Sequence, residues 1–500
     1  MKVNLLKSVV LLTLLTPFTM FAQTNHIKGL LIDKQTKAPL PYANIAIDAR
    51  FQGTVTNEDG KFIIDLSTVD ANSKVSFSYI GYNSVQVLSS SLKDSCIIEL
   101  TPALVNLKTF EVSSKPLKAK EIIDLIVDNY PTNYPNLSER RKIFFHSYNK
   151  TPFTNKDMIK VKRSTFESMD DKLMDEIMNL IPDTLIEYND VVLNLYSLGK
   201  ENKAIPISAI SLEASNQQEL QKKFESKLGL FFGEVETPEE DIYYKWKTGI
   251  FSFEIETDSI KNDSANGDSN IKVEMNSVSR KTEFVRNGIN SVINNNASID
   301  SDNWEFLTSP GKYKFTKERV TVFNDELVYE ISFRPKYRGL FKGVMYVSTS
   351  SYAILELNYQ YQEGKKDENI QLLGIGHAIL NESARVLFEK VENGYALKYI
   401  NAKHLEYAAI ERNFSIIKKQ KRWFIDKTLK EIKFDVEVAF NTYTNWEVLV
   451  LEKEAITNED FDKIEEPEKV EYKKQLVFNP NEFNSASVIA PSNELKKYEK

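Results

Sequence analysis

From Tyr243 to about residue 450 the chain alternates apolar and polar residues with period two, and no other feature constrains its fold as strongly. Ala353, Leu355, Leu357 and Tyr359 alternate with Glu356, Asn358 and Gln360, and Phe434, Val436, Val438 and Phe440 with Asp435, Glu437 and Ala439. Successive strand residues point to opposite faces, so such runs bury one side of a sheet and wet the other. The pattern predicts a large antiparallel sheet packed on one side, with Asn393-Gly394 as a hairpin turn. The fold class is mainly β with helices, α+β.

Upstream the apolar runs are shorter. IKGLLID, YANIAIDA, KFIIDL, KVSFSYIGY and SCIIEL are separated by turn formers, the spacing of an antiparallel β-sandwich. In GTVTNEDGKF (53–62), Asp59-Gly60 predicts a tight turn that lets Val55, Phe62 and Ile64 face one core. A calcium loop with Gly60 at its sixth position needs an oxygen ligand first and a bidentate Glu twelfth. Val55 and Leu66 stand there instead, which leaves the turn. Gly29, Asp33, PLPYAN (39–44), GTVT (53–56), DGKF (59–62) and SYIGY (78–82) together resemble the carboxypeptidase-regulatory-like domain. The resemblance covers about residues 25–101. It implies a small transthyretin-like, seven-stranded-type sandwich, common at the N-termini of Bacteroidetes envelope proteins and devoid of peptidase residues.

The rest of the chain divides by composition. Residues 1–22 read as an export signal: Lys2 and Lys7 precede an apolar run (9–21) and the small residue Ala22. The run is shorter than the ~20 residues that span a bilayer. Residues 23–101 form the sandwich, 102–117 a linker, 118–235 a helical or mixed segment, 236–450 the antiparallel sheet, and 451–500 a charged C-terminal extension. Ile122, Leu125, Ile126 and Tyr130 recur at helical intervals, as do Phe166, Met169, Leu173, Ile177 and Leu180, and then Leu220, Phe224 and Leu228. Each stripe is expected to pack a core. KIFFHSY (142–148) reads as a strand, and the polar stretches 261–270 and 287–303 as exposed loops. No later segment has eighteen consecutive apolar residues, so no transmembrane helix is expected after signal removal.

Chemistry is harder to find. A net charge of -7 argues against a nucleic-acid partner, and 42% hydrophobic residues argue for packed cores. Cys96, the only cysteine, forms no intramolecular disulfide and reads as a buried strand residue. His26, His146, His377 and His404 stand in no HExxH or HxH spacing, and His377 in GIGHAI reads as part of a turn. GxxxxGK[ST], GxGxxG and GxSxG are all absent. The sequence therefore assigns no catalytic, cofactor-binding or metal-ligating residue, and no cofactor. Arg334, Lys336, Arg338 and Lys342 surround Gly339 and Gly343, as a solvated hairpin end or a contact for an anionic headgroup or acidic partner. Trp246, Trp304, Trp423 and Trp446 read as core anchors.

The segments 120–135 and 333–361 look like the bodies of exported Bacteroidetes proteins carrying this module. The strand–Gly–strand–SYAI pattern is also similar to the curved half-barrel sheet of periplasmic lipoprotein carriers, which implies a concave face for a lipid or another apolar ligand. The expected function is non-enzymatic binding or assembly in the periplasm or at the outer membrane. An envelope protein, or an apolar or glycan ligand, is the expected partner. A lipid or glycan carrier is the alternative, marked by an apolar concavity. A hydrolase with an unrecognised carboxylate site is the further alternative, marked by an acidic pair in a deep cleft.

Overall fold

Short strands and tight turns at the N-terminus do build a sandwich. The computed structural model describes residues 26–48, 52–103, 117–153, 159–167, 170–213, 241–249, 251–256, 281–479 and 488–491. The signal segment, the third apolar stripe and the 261–270 stretch lie outside these residues. Strands β1 (His26–Asp33), β2 (Asn44–Ile47), β3 (Gly53–Val55), β4 (Lys61–Asp65), β5 (Lys74–Ser78), β6 (Tyr82–Asn83), β7 (Val85–Leu88) and β8 (Cys96–Pro102) form two four-stranded sheets. Their orders are β4-β1-β8-β6 and β3-β2-β5-β7, and Leu31, Ile45, Phe62, Ile64, Val75, Phe77 and Leu100 form the sandwich core. Cys96 is half-buried against that core, and burial pushes its thiol pKa up.

The Asp59-Gly60 turn forms as expected. Gly60 has φ +74°, and a Cβ there would stand 2.8 Å from the Leu31 carbonyl oxygen. The Asn57 side-chain oxygen accepts from the amides of Asp59 and Lys61 at 3.0 and 2.9 Å, fixing the turn. It is a corner, not a hairpin, because β3 pairs with β2 while β4 pairs with β1 in the other sheet. That crossing separates the side chains expected to share one core. Phe62 and Ile64 enter the sandwich core, whereas Val55 turns into the core of the second unit.

The second unit is one large sheet that begins well before Tyr243. Its strands are β9 (Glu139–Pro152), β10 (Ile159–Ser164), β11 (Thr184–Leu198), β12 (Glu201–Glu213), β13 (Ile242–Thr248), β14 (Phe251–Glu256), β15 (Tyr313–Phe323), β16 (Glu326–Pro335), β17 (Phe341–Ser348), β18 (Ile354–Tyr361), β19 (Asp367–Leu372), β20 (Ile375–Val391), β21 (Gly394–Gln420), β22 (Lys427–Ala455) and β23 (Lys473–Gln475). The main path is open, in the order β15-β16-β17-β18-β20-β21-β22-β9-β11-β12-β23. Neighbours pair antiparallel except β12 with β23, which makes the sheet mixed. Asn393-Gly394 closes the β20–β21 hairpin as expected, with Gly394 at φ +119° and no room for a Cβ beside the Asn133 carbonyl.

Register turns the period-two pattern into two opposed rows. Ile331, Met345, Leu357, Val386, Ile400, Val448, Phe145 and Val191 stand directly opposite one another across eight strands, and all are buried. Helices α1 (Ala119–Asn133), α3 (Ile289–Ala297) and α4 (Glu305–Thr308) pack with this apolar row in one core. Ile122, Ile123 and Ile126 of α1 are buried, as the first helical stripe predicts. Trp304 lies at the centre with no exposure; its indole N–H donates to the Asn296 carbonyl at 2.9 Å, and Phe306 stacks on Phe333 at 4.3 Å.

Two local expectations need correction. The 287–303 stretch is not an exposed loop: Ile289, Val292 and Ile293 fall on one side of α3 and are buried. Its run of asparagines masked an i, i+3, i+4 apolar face. Trp423 is not a core anchor but 93% exposed, since it sits in the β21–β22 turn beyond any core. The second helical stripe forms only α2 (Asp171–Met178), whose Leu173, Met174 and Met178 cover Tyr244, Ile416 and Ile432 in a small separate core.

Candidate functional site

One residue further along each strand, the face changes character. Ser332, Val344, Asn358, Arg385, Asn401, Glu447, His146 and Asp190 form the row opposite the helices, again in register across eight strands. Side chains directly opposite in neighbouring strands interact, so this row, Val344 apart, is a polar ladder crossing the sheet. The sandwich covers part of it and leaves the rest open.

Arg385 is the contact on which the sandwich sits. One guanidinium N–H donates to the Pro41 carbonyl at 3.3 Å, and another meets the Glu356 carboxylate at 3.0 Å. The Arg385 side chain is 16% exposed and that of Glu356 3%. The guanidinium also lies 5.6 Å from the Tyr42 ring centroid and 5.4 Å from that of Tyr79, within cation–π range. Tyr42 in turn stacks on Tyr399 at 6.0 Å. Further along, the Gly81 amide donates to the Val322 carbonyl of β15 at 2.9 Å. The C-terminal segment seals the other side: Thr54 Oγ1 donates to the Val488 carbonyl at 2.9 Å and Asn57 Nδ2 to the Ala490 carbonyl at 3.1 Å. Residues 488–491 are thus held between sandwich and sheet, and are not a free tail.

Beside this contact lies an open groove of about 820 Å³, walled by Pro41 and Tyr42 of the sandwich and floored by β15 to β21. Its floor carries Lys314 opposite Arg334, Thr316 opposite Ser332, Lys342 opposite Gln360, and Ser383 opposite Lys403. Among the described residues no carboxylate forms an ion pair with Lys314, Arg334, Lys342 or Lys403. Glu318, the groove's acidic residue, accepts a hydrogen bond from Ser332. Asn358, Gln360, Gln362 and Asn401 add amide groups that both donate and accept. The surface suits an anion bearing hydroxyl groups.

On the other side of Lys403 the ladder ends in a small pocket of about 80 Å³, lined by His146, Asp190, Glu447, Glu58 and Tyr42 and closed by Ile489, Ala490 and Pro491. His146 Nδ1 stands 2.6 Å from an Asp190 oxygen, and Tyr399 donates to Glu447. A histidine oriented by a carboxylate can serve as a general base. The pocket, however, is about a tenth of the groove's volume, and no serine, threonine or cysteine lines it. Burial pushes the His146 pKa down, but the charges of Asp190, Glu447 and Glu58 outweigh it, so the pKa stands above the ordinary 6.5. Stability from a raised histidine is full below the unfolded value and is lost as pH rises through the folded one. Thermal melts of His146→Gln should therefore fall furthest below wild type near pH 5.5, and the gap should shrink towards pH 8.5.

The structure splits the basic group found in the sequence. Arg334 and Lys342 enter the groove, whereas Lys336 donates to the Gly311 carbonyl at 3.2 Å and Arg338 is exposed outside it. His377 lies within β20, not in the turn before it, and its Nε2 meets Glu406 at 2.9 Å. His404 pairs with Glu382 at 3.0 Å. Among the described residues no cluster of three His, Cys, Asp or Glu side chains could hold a metal ion, and no helix is long and apolar enough to cross a membrane.

Residues 27–112 match the family model described as a CarboxypepD_reg-like domain, and the sandwich is that domain. No curated protein matches the chain. Solved structures that superpose include an outer-membrane lipoprotein-sorting protein domain from Vibrio parahaemolyticus, at 6% identity and TM-score 0.20, covering 69% of this chain and 97% of that one. A DUF1329 family protein from Desulfovibrio piger superposes at 8% identity and TM-score 0.18, covering 67% and 94%. The MucA/MucB complex of Pseudomonas aeruginosa superposes at 4% identity and TM-score 0.16, covering 67% and 99%. None of these superpositions is close enough to carry an argument about function.

Proposed function

We propose that this chain is a non-enzymatic cell-envelope protein that binds an acidic, hydroxyl-rich ligand, a carboxylated glycan in the first instance, in the groove between its sandwich and its sheet. One observation carries the reading: the groove gathers Lys314, Arg334, Lys342 and Lys403 without a partnering carboxylate among the described residues. Desolvated anions are best held by such cations, and amides and hydroxyls beside them match sugar hydroxyls. A carrier of apolar lipid is less well served, because the groove floor is polar while the apolar face of the sheet is filled by α1, α3 and α4. A hydrolase is less well served too, since the carboxylates around His146 sit in a pocket too small for a sugar ring. The charged start, the apolar run 9–21 and Ala22 support an exported location.

Isothermal titration with oligogalacturonate, against a neutral maltooligosaccharide, tests this directly. The acidic oligosaccharide should bind and the neutral one should not, with affinity falling as salt rises. Lys314→Glu with Lys342→Glu should weaken binding at least ~tenfold, about 1.4 kcal/mol. Equal binding of both sugars, or indifference to the double reversal, contradicts the reading. Shortened oligosaccharide in the mass spectrum after incubation replaces it with the hydrolase.

A further inference from the structure

The far end of the sheet carries a second surface, independent of the groove. Strands β21 and β22 are 27 and 29 residues long, and β21 runs ten residues past Ile410, the partner of the first residue of β20. At ~3.3 Å per residue that extension past β20 is roughly 33 Å, and it is flanked by β13, which pairs with 414–420, and by β10, which pairs with 432–436. The turn at its end holds Trp423, Phe424 and Ile425, which are 93%, 86% and 82% exposed. Trp423 and Phe424 are the two most exposed large hydrophobic side chains among the described residues, Ile425 follows just behind Tyr337, and the three are consecutive.

The turn is pinned from both sides. The Arg422 amide donates to Asp426 Oδ1 at 3.1 Å, the Tyr243 hydroxyl donates to Asp426 Oδ2 at 2.6 Å, and the Lys421 amide donates to the Asp241 carbonyl at 2.7 Å. The three apolar side chains between these anchors therefore project from a fixed frame. Around them the charge is one-sided: within KKQKRWFIDKTLK (418–430), Lys419, Lys421, Arg422 and Lys427 stand against the acid Asp426, whereas Lys418 is buried and Lys430 lies over the Phe166 ring. The tip is therefore basic within a chain of net charge -7. Lys421, Arg422 and Lys427 are exposed beside the tip.

We propose that this hairpin tip inserts into the surface of an anionic lipid bilayer. Trp and Phe favour the headgroup level, Ile adds buried apolar area, and a basic collar is drawn to lipid phosphates. A folded protein partner is the poorer fit, because three side chains on a convex tip supply far less than the ~800 Å² per partner of a standard interface. A fluid bilayer needs no matching surface. The other exposed apolar hairpin end, with Ile370, Leu372 and Leu373, carries Asp367 and Glu368 and has no basic excess, so it does not make the same case.

Cosedimentation of the exported chain with phosphatidylethanolamine–phosphatidylglycerol vesicles, and with pure phosphatidylcholine vesicles, tests the proposal. The chain should pellet with the anionic vesicles, and brominated lipid should quench its tryptophan emission. Trp423→Ser, Phe424→Ser and Ile425→Ser combined should weaken binding at least tenfold, and Trp423→Phe should retain binding but lose most of the quenching. Lys421→Glu with Arg422→Glu should remove the preference for anionic vesicles. Pelleting of the triple variant like wild type, or unquenched emission in the bound state, overturns the proposal. The three substituted side chains are solvent-exposed, so the fold does not depend on them.

Discussion

Replacing Arg385 by alanine should destabilise the chain by about 3–5 kcal/mol, because it strands the Glu356 carboxylate in a buried site. The same substitution removes the donor to the Pro41 carbonyl and the cation between Tyr42 and Tyr79, so the sandwich should loosen from the sheet. Urea unfolding measures the first effect, and faster proteolysis between residues 103 and 117 the second. Arg385→Met combined with Glu356→Leu should cost much less than Arg385→Ala alone, since no charge is then left unpaired. Loss in the double variant equal to or greater than that in the single one would show that packing, not charge pairing, holds the contact.

Trp304→Ala should cost a comparable 3–5 kcal/mol, for a different reason. The indole has no exposure, its ring lies edge-on to Tyr130 at 6.3 Å and to Phe388 at 6.3 Å, and its N–H is satisfied by Asn296. Truncation empties the space between α1, α3 and the sheet, where no solvent reaches to fill it. Trp304→Phe should recover most of the packing but not the hydrogen bond, and so fall between the two. A lower urea midpoint in that order checks the assignment. Oligogalacturonate binding by Trp304→Phe should stay near wild type, since the residue lies on the face of the sheet away from the groove.

The sandwich was legible in the sequence because its signals are local. Asp59-Gly60 and the PLPYAN run report turn chemistry within a few residues, and the structure builds what they imply. Their role in docking was not legible: nothing near Tyr42 says that its ring will meet Tyr399 and Arg385, more than 340 residues away. The sheet was legible from alternation at Ala353 to Gln360, yet β9 to β12 went undetected as part of it, because a mixed helical and strand pattern surrounds them. The polar ladder was invisible for a sharper reason. His146, Asp190 and Glu447 become neighbours only through the pairing of β9 with β11 and β22, and register cannot be read from one strand at a time. Trp304 and Trp423 make the same point, being alike in sequence and opposite in burial.

Hydrogen exchange of the full chain with and without oligogalacturonate tests most directly whether the sandwich and the sheet together form the binding site. Added protection should fall on the open ends of β15 to β17, around Lys314, Arg334 and Lys342, on Lys403, and on Tyr42 of the sandwich. Unchanged exchange at all of these positions in the presence of bound ligand, or protection confined to residues away from the groove, would contradict it.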